Sequence, residues 1–330
     1  MVKFLIIRFS SIGDIILTTP VVRLLKQQIE DSEIHFLTKP QYASMLESNP
    51  NIDKLHLLSE NINETVARLK EAEFDYLIDL HHNLRTAMIK NRLKIIAFSV
   101  NKINIRKWLL VNLRINRMPD RHMVDRNLDT IRFFDVSDDG KGLDYFIPPA
   151  EEVDPSSLGK AFGNGYIALA IGAQHETKKM PVDKLIEMLS MIEHPVVILG
   201  GPEDKNTADA ICNALPAGSI LNTCGMFSIN QSASLVRQAK LIITHDTGMM
   251  HVAAAFGKKI LSLWGSTDPV FGMYPYLADP DSVIFEVKGL KCRPCSKIGY
   301  SKCPKGHFNC MMKQDVERIA ETANRLFTVR

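Results

Sequence analysis

The first hundred residues switch repeatedly between two hydrophobic patterns. Short, largely apolar runs, "KFLII", "IHFLT", "KLHLL" and "YLIDL", read as strands buried in a sheet. Between them, "IILTTPVVRLLKQQ", "YASMLES" and "NETVARLKEAE" carry helical spacing or propensity. Strands alternating with helices predict a parallel sheet covered by helices on both faces. Pro20 interrupts the first helical stretch. Either it kinks that helix, or regular helix begins only after it.

The second half repeats the scheme. "YIALAIG", "PVVILGG", "LIITH" and "KILSLWG" are strand candidates. "VDKLIEMLSMI", "EDKNTADAICNAL", "NQSASLVRQAK" and "TGMMHVAAAFG" are the helices between them, and "QDVERIAETANRLF" is a final amphipathic helix. From Ser137 to Gly165 the chain is rich in Gly, Pro, Asp and Ser and lacks periodicity, which places a domain boundary near Pro148–Pro155. The expected architecture is α/β: two doubly wound, Rossmann-like domains, 1–150 and 151–330, facing a central cleft. The final helix can pack back on the first domain.

A length of 330 residues suits two domains, and 45% hydrophobic with 23% charged residues is the profile of a soluble globular protein. Arg8 cuts the first apolar stretch too early for a signal peptide, and no run approaches a membrane span. These features point to a cytoplasmic protein whose six cysteines are mostly reduced. The net charge of +3 hides an asymmetry. Arg85 to Arg132 holds twelve Lys/Arg against three Asp/Glu, an excess of nine that leaves the remainder net negative by six. Such a region is either a solvated basic face or meets something acidic. No P-loop, H-E-x-x-H, strand-to-helix G-x-G-x-x-G or G-x-S-x-G is present.

Four stretches can carry chemistry. "RFSSIGDIILTTP" runs from a strand through a Ser-x-Gly turn to a helix start, so Asp14 falls at the carboxyl edge of a parallel sheet, where ligands bind. It is a helix cap or a general base. "THDTGMMHVAAAFGKKILSLWGSTDP" places Asp246, Thr247 and Gly248 between a strand and a helix. Their backbone amides can cradle a phosphate, and His251 follows in the first turns. "GAQHETKKMP" offers Lys178 or Lys179 to an anion, or two solvated lysines. In "GGPEDK", Glu203 or Asp204 can accept from ribose hydroxyls or simply favour a helix start. Separately, Cys292, Cys295, Cys303 and Cys310 form C-x2-C-x7-C-x6-C with His307 inside, which is either a structural zinc site or a set of packed thiols.

Together these segments resemble the ADP-heptose:lipopolysaccharide heptosyltransferases, inverting glycosyltransferases of the GT-B fold. The likeness covers nearly the whole chain and is strongest in "RFSSIGDIILTTP" and "HDTGMMHVAAAFG…LWGSTDP". "YLIDLHHNLRT" resembles the family's Asp-Leu-x-x-x-x-Arg element, and "CRPCSKIGYSKCPKGHFNCM" its cysteine-bearing tail. The resemblance implies that Asp14 is the catalytic aspartate and Lys178 the phosphate-binding lysine. It also implies that Asp246, Thr247, Gly248 and His251 bind the donor, with Glu203 or Asp204 on the nucleoside. Two departures, Met180 in place of Trp and Ala173-Gln174 in place of Thr-Thr, leave sugar and nucleotide specificity open.

The implied reaction moves a heptose from ADP-heptose to a lipid A–core acceptor. Asp14 takes the acceptor proton, while Lys178 and the helix amides stabilise the departing diphosphate, so no catalytic metal is required. The first domain then holds the acceptor, with Arg85 and Arg126 as its ligands. "IRKWLLVNLRINR", Ile105 to Arg117, mixes apolar and basic residues as an interfacial helix on the anionic inner membrane does. The expected location is cytoplasmic and peripheral to that membrane. Nucleic acid is not an expected partner, because no reading motif accompanies the basic region. The competing readings are a GT-B transferase with another donor or acceptor, and a nucleotide-sugar-binding protein without turnover.

Overall fold

The computed structural model describes residues 1–329. Its contacts divide the chain into two compact units, the first made of Met1–Ile103 and Arg121–Phe146. In chain order this unit contains β1 (Val2–Ile7), α1 (Ile12–Ile16), α2 (Thr19–Gln28), β2 (Ser32–Thr38), β3 (Lys54–Leu57) and α3 (Ile62–Lys70). Next come β4 (Tyr76–Asp79), α4 (Leu84–Leu93) and β5 (Ile96–Ser99). After α5 (Asn104–Trp108), which belongs to the second unit, the first unit ends with α6 (Met123–Leu128).

All five strands pair in parallel, in the order β3-β2-β1-β4-β5. The strand order reverses at β1, and Ile7 is in register with Asp79 of β4. The chain therefore leaves β1 at Arg8 beside the point where it leaves β4 at Leu80. That position is a topological switch point, where open α/β sheets bind ligands. Leu5, Ile7, Phe9, Leu37, Leu77 and Ile89 form part of the core beneath it. Pro20 does not kink a continuous helix: α1 stops and α2 starts afresh. The Thr18 and Thr19 hydroxyls donate to the Ile15 and Ile16 carbonyls (2.6 and 2.8 Å) across the break. Pro20 then sits in the first turn of α2, where no backbone N–H is needed.

The second unit starts at Ile147 and also takes up Asn104–Asp120. It contains β6 (Ile167–Ala170), α7 (Val182–Leu189), β7 (Val196–Leu199), α8 (Lys205–Ala214), β8 (Ile220–Asn222) and α9 (Ile229–Gln238). These are followed by β9 (Leu241–His245), α10 (Gly248–Ala255), β10 (Lys259–Trp264), β11 (Val283–Glu286), α11 (Asn309–Met312) and α12 (Val316–Thr328). The sheet is parallel, ordered β11-β10-β9-β6-β7-β8, so its switch point lies between β6 and β9.

Two placements differ from the sequence reading. The final helix, α12, buries Ile319, Ala320, Ala323 and Leu326 in the core of the second unit. Its apolar stripe is thereby satisfied within that unit. The basic segment 104–120, expected in the first domain, groups with the second unit. Leu110 is 7% exposed, and the Arg114 guanidinium donates to the carbonyls of Pro294 and Cys292, the latter at 3.1 Å. Among the described residues no helix is long and apolar enough to cross a membrane.

Candidate active site

Each unit carries one cluster of charged groups at its switch point. In the first unit the loop after β1 is organised by Arg8, a residue the sequence reading passed over. Its side chain is 8% exposed and donates to the carbonyls of Ser10 (2.8 Å) and Leu80. From there it meets Asp14 Oδ1 at 2.6 Å. Asp14 Oδ2 accepts from the Ser11 hydroxyl (2.8 Å) and, more distantly, from the Ser11 amide (3.3 Å). Asp14 is thus both a cap of α1 and a carboxylate fixed by a buried cation. Its side chain remains 28% exposed, so a substrate hydroxyl can still approach it.

The neighbouring loop, after β4, is built on Asp79. This carboxylate has no solvent exposure, pairs with Lys90 (2.8 Å) and accepts from the amides of His81 (3.1 Å) and His82 (2.6 Å). Asn83 then caps α4 by accepting from the Thr86 amide (3.0 Å). This presents Arg85 in the first turn, exposed at the same sheet edge. The ring of His81 packs against Phe9, centroids 4.7 Å apart. Burial and then the Arg8 charge lower its pKa to about 4, so it is neutral at pH 7. Arg126 is placed differently from Arg85: it is 4% exposed on α6, and burial pulls its pKa down from the usual arginine value.

In the second unit, the loop after β6 and the turn after β9 meet across the switch point. Lys178 Nζ lies 2.7 Å from Asp246 Oδ2 and donates to the Asp246 carbonyl at 3.0 Å. The Thr267 hydroxyl also donates to Asp246 Oδ2 (2.7 Å). Thr247 precedes α10 in an extended conformation and makes no side-chain cap. The first-turn amides of α10 consequently lie next to an ammonium group, which suits an anion. His251 is buried at 2% exposure and so faces the interior of the unit.

Lys179 takes another path. Its Nζ meets Asp204 (3.1 Å) and Glu176 (2.9 Å). Burial works to lower its pKa, but the two carboxylates outweigh burial and leave it raised. Asp204 is 3% exposed and also accepts from the Gly201 amide (3.1 Å), whereas Glu203 is exposed. A Cβ on Gly172 would fall 2.6 Å from Asp204 Oδ2, and one on Gly200 would fall 2.9 Å from Asp204 Cβ. Close approach to this buried carboxylate is why glycine stands at both positions. Behind the cluster, the His245 Nε2 accepts from the Met180 amide (2.9 Å). Burial, then Lys179, lowers the His245 pKa to about 4 and keeps the ring neutral.

The "GSTDP" turn is a stitch between loops. The Ser266 hydroxyl donates to that of Thr177 (2.9 Å), and the Tyr300 amide donates to the same Thr177 hydroxyl (2.8 Å). Arg293 adds bonds to the carbonyls of Gly265 (2.9 Å) and Thr267 (3.0 Å). The cysteine-bearing tail is thereby tied to the loops after β6 and β10. Its four cysteines are free thiols, and Cys310 is buried, which pushes its pKa up to about 12. Cys292 lies 3.8 Å from His307 Nε2. Among the described residues no group of three or more His, Cys, Asp or Glu is arranged to hold a metal ion.

The sequence profile of glycosyltransferase family 9 (heptosyltransferase) matches residues 63–302. The chain is 27% identical to lipooligosaccharide heptosyltransferase 2 of Haemophilus influenzae, over 98% of this chain and 99% of that one. It is 25% identical to lipopolysaccharide heptosyltransferase 3 of Escherichia coli, over 78% and 81% of the two chains. Among solved structures, a family 9 glycosyl transferase from Veillonella parvula superposes with a TM-score of 0.79 at 22% identity, covering 98% of this chain and 97% of that one. The ADP-heptose lps heptosyltransferase II of E. coli superposes with a TM-score of 0.74 at 19% identity, covering 98% of both chains. The two parallel-sheet α/β units have the GT-B fold of these structures. The chain belongs to glycosyltransferase family 9, the heptosyltransferases of lipopolysaccharide core synthesis.

Proposed function

We propose that this enzyme transfers a heptose from ADP-heptose to a lipid A–core acceptor with inversion at the anomeric carbon. The observation that carries the reading is the Lys178–Asp246 pair at the N-terminus of α10: a cation beside helix amides at a switch point is a built site for a diphosphate. Solved E. coli relatives contain ADP in one case and ADP-2-deoxy-2-fluoro heptose in another, which supports the choice of nucleotide. Glu203 is the acidic residue free to accept from the ribose hydroxyls, because Asp204 is already held by Lys179 and Gly201.

In the proposed reaction an acceptor hydroxyl oxygen forms a bond to the anomeric carbon as the bond from that carbon to the β-phosphate oxygen breaks. The hydroxyl proton passes to Asp14, and ADP departs with its new charge against Lys178 and the amides of Thr247 and Gly248. Arg8, 2.6 Å from Asp14 Oδ1, holds the carboxylate in position. Arg85 pairs with phosphate or carboxylate groups of the acceptor. Because the acceptor is anchored in lipid, the enzyme works as a peripheral protein at the cytoplasmic face of the inner membrane.

The test is incubation with ADP-heptose and a panel of truncated core acceptors, read by product mass. UDP- and GDP-sugars run alongside it. Addition of one heptose residue from the ADP-sugar alone is the expected result. Transfer from another nucleotide-sugar, or binding of ADP-heptose without any product, would overturn the proposal.

A further inference from the structure

We infer that segment 104–117 and the cysteine-bearing loop 288–313 form one docking face for an anionic lipid bilayer, and that this face lies on the second unit. The first observation is charge. Arg106 to Arg117 contains four Lys/Arg and no Asp/Glu, and Lys288 to Lys313 contains seven Lys/Arg and no Asp/Glu. Arg293 is 6% exposed and paired with Glu286, which leaves ten basic residues for the surface and no acid within either stretch, an unusual concentration in a chain whose net charge is +3. The second observation is contact. The two segments lie about 180 residues apart in sequence, yet Arg114 donates to the carbonyls of both Cys292 and Pro294. Charge and contact together make the two stretches one surface.

The third observation is exposed apolar area interleaved with the charge. Ile105 is 77% exposed, Trp108 55% and Leu113 52% on one segment; Ile298 is 56% exposed on the other. Large apolar side chains left in water among lysines and arginines match the chemistry of a headgroup boundary. There the rings and branched chains enter the acyl layer while the cations meet lipid phosphates. A polyanion such as RNA would satisfy the charges but leave the apolar groups in water. The inference rests on the transferase reading for its purpose, a lipid-anchored acceptor. Its physics stands apart from that reading.

The test uses the full chain and vesicles of phosphatidylethanolamine and phosphatidylglycerol at roughly three to one, with phosphatidylcholine vesicles as the neutral control. One variant carries Lys297→Gln, Lys302→Gln and Lys305→Gln. A second carries Arg106→Gln and Arg117→Gln, and a third Trp108→Ala. All six side chains are exposed, so folding is not at stake. Each lost charge should weaken partitioning about fivefold at low salt, so the lysine variant should lose about 100-fold and the arginine variant about 25-fold. Trp108→Ala should weaken binding at high salt as well as low. Transfer to a soluble, deacylated acceptor should be unchanged in all three. Wild-type vesicle binding by the lysine variant would remove the cysteine-bearing loop from the surface and overturn the inference. So would equal binding to neutral vesicles, or single-stranded RNA outcompeting the anionic vesicles. If wild-type protein shows no heptose transfer, the transferase reading fails while the vesicle measurements still decide the surface.

Discussion

Replacing Lys179 by alanine separates the two adjacent lysines most sharply. Lys178 and Lys179 are consecutive, and either can neutralise a phosphate, yet they point to different carboxylates. Lys179 is the cation of Asp204, whose side chain is 4% exposed. In the Lys179→Ala variant Asp204 keeps one partner, the Gly201 amide at 3.1 Å. Breaking a fully buried ion pair by removing one member costs about 3–5 kcal/mol. Lys179 is 21% exposed, so water can partly replace the ammonium. The cost therefore falls to about 2 kcal/mol.

Both tryptophans of the chain, Trp108 and the fully buried Trp264, belong to the second unit. Their fluorescence therefore follows the unfolding of that unit. With a urea dependence of about 2 kcal/mol/M, the midpoint should fall by about 1 M. Adding Asp204→Asn to Lys179→Ala should recover part of the loss, because the unpaired carboxylate is its cause. ADP affinity of folded Lys179→Ala should stay within about threefold of wild type, whereas Lys178→Ala should lose about tenfold or more. An unchanged urea midpoint for Lys179→Ala, or a larger loss of ADP affinity than in Lys178→Ala, would refute this division of labour.

Three further outcomes are expected. Asp14→Asn should lower turnover by roughly 100-fold or more while ADP affinity is kept; it should also cost about 1–2 kcal/mol, since Arg8 is buried and loses its carboxylate. Near-normal turnover would return Asp14 to a capping role. Glu203→Ala should weaken ADP binding several-fold with an unchanged urea midpoint, and Asp204→Ala should shift the midpoint; the reverse pattern would exchange their roles. Finally, His245 is neutral in the folded state with a pKa of about 4, against an ordinary value of 6.5. The unfolded chain takes up this proton first, so stability is full above pH 6.5 and falls as the pH drops toward 4, by up to about 3 kcal/mol. A His245→Asn variant whose urea midpoint falls as steeply over that window would sink the assignment.

The central strands were legible because they are covered on both faces and read as apolar runs. The three strands the sequence reading missed are β5, β8 and β11. All three are edge strands, and β8 has three residues. β5 opens on the exposed Ile96 inside the basic region, so its hydrophobic signal was masked by neighbouring charge. Asp14, Lys178 and Asp246 could be picked out because strand, turn and helix start mark the carboxyl edge of a sheet. Arg8 could not, since a charged residue ending an apolar run reads as a strand boundary. Its partner carbonyl lies 72 residues away. The choice between Glu203 and Asp204 was equally closed to sequence. On a 3-10 turn consecutive side chains diverge by about 120°, and packing against Gly172 and Gly200 decides which carboxylate is buried. The placement of segment 104–117 depended on contacts about 180 residues distant, which no local pattern encodes.

The two units solve one electrostatic problem with opposite charges. At the first switch point a buried arginine holds a partly exposed carboxylate; at the second, a nearly buried carboxylate holds a lysine. In both cases the group assigned to chemistry is paired before any substrate arrives. An isolated charge at a dry sheet edge would otherwise be costly or would neutralise itself. The pairing has a consequence for each step. In the proposed reaction Arg8 fixes the Asp14 carboxylate in place, and the acceptor proton passes to it as the acceptor oxygen bonds to the anomeric carbon. In the proposed reaction Lys178 exchanges Asp246 for a phosphate oxygen when the donor binds, and the Thr267 hydroxyl remains to satisfy the carboxylate it leaves. Donor binding should therefore be sensitive to Thr267 even though that side chain is 1% exposed and touches no part of the nucleotide in this scheme. The same strand order, used twice, thus places a carboxylate paired with a buried arginine on one unit and a lysine paired with a nearly buried carboxylate on the other, the groups that the proposed reaction uses as base and anion clamp.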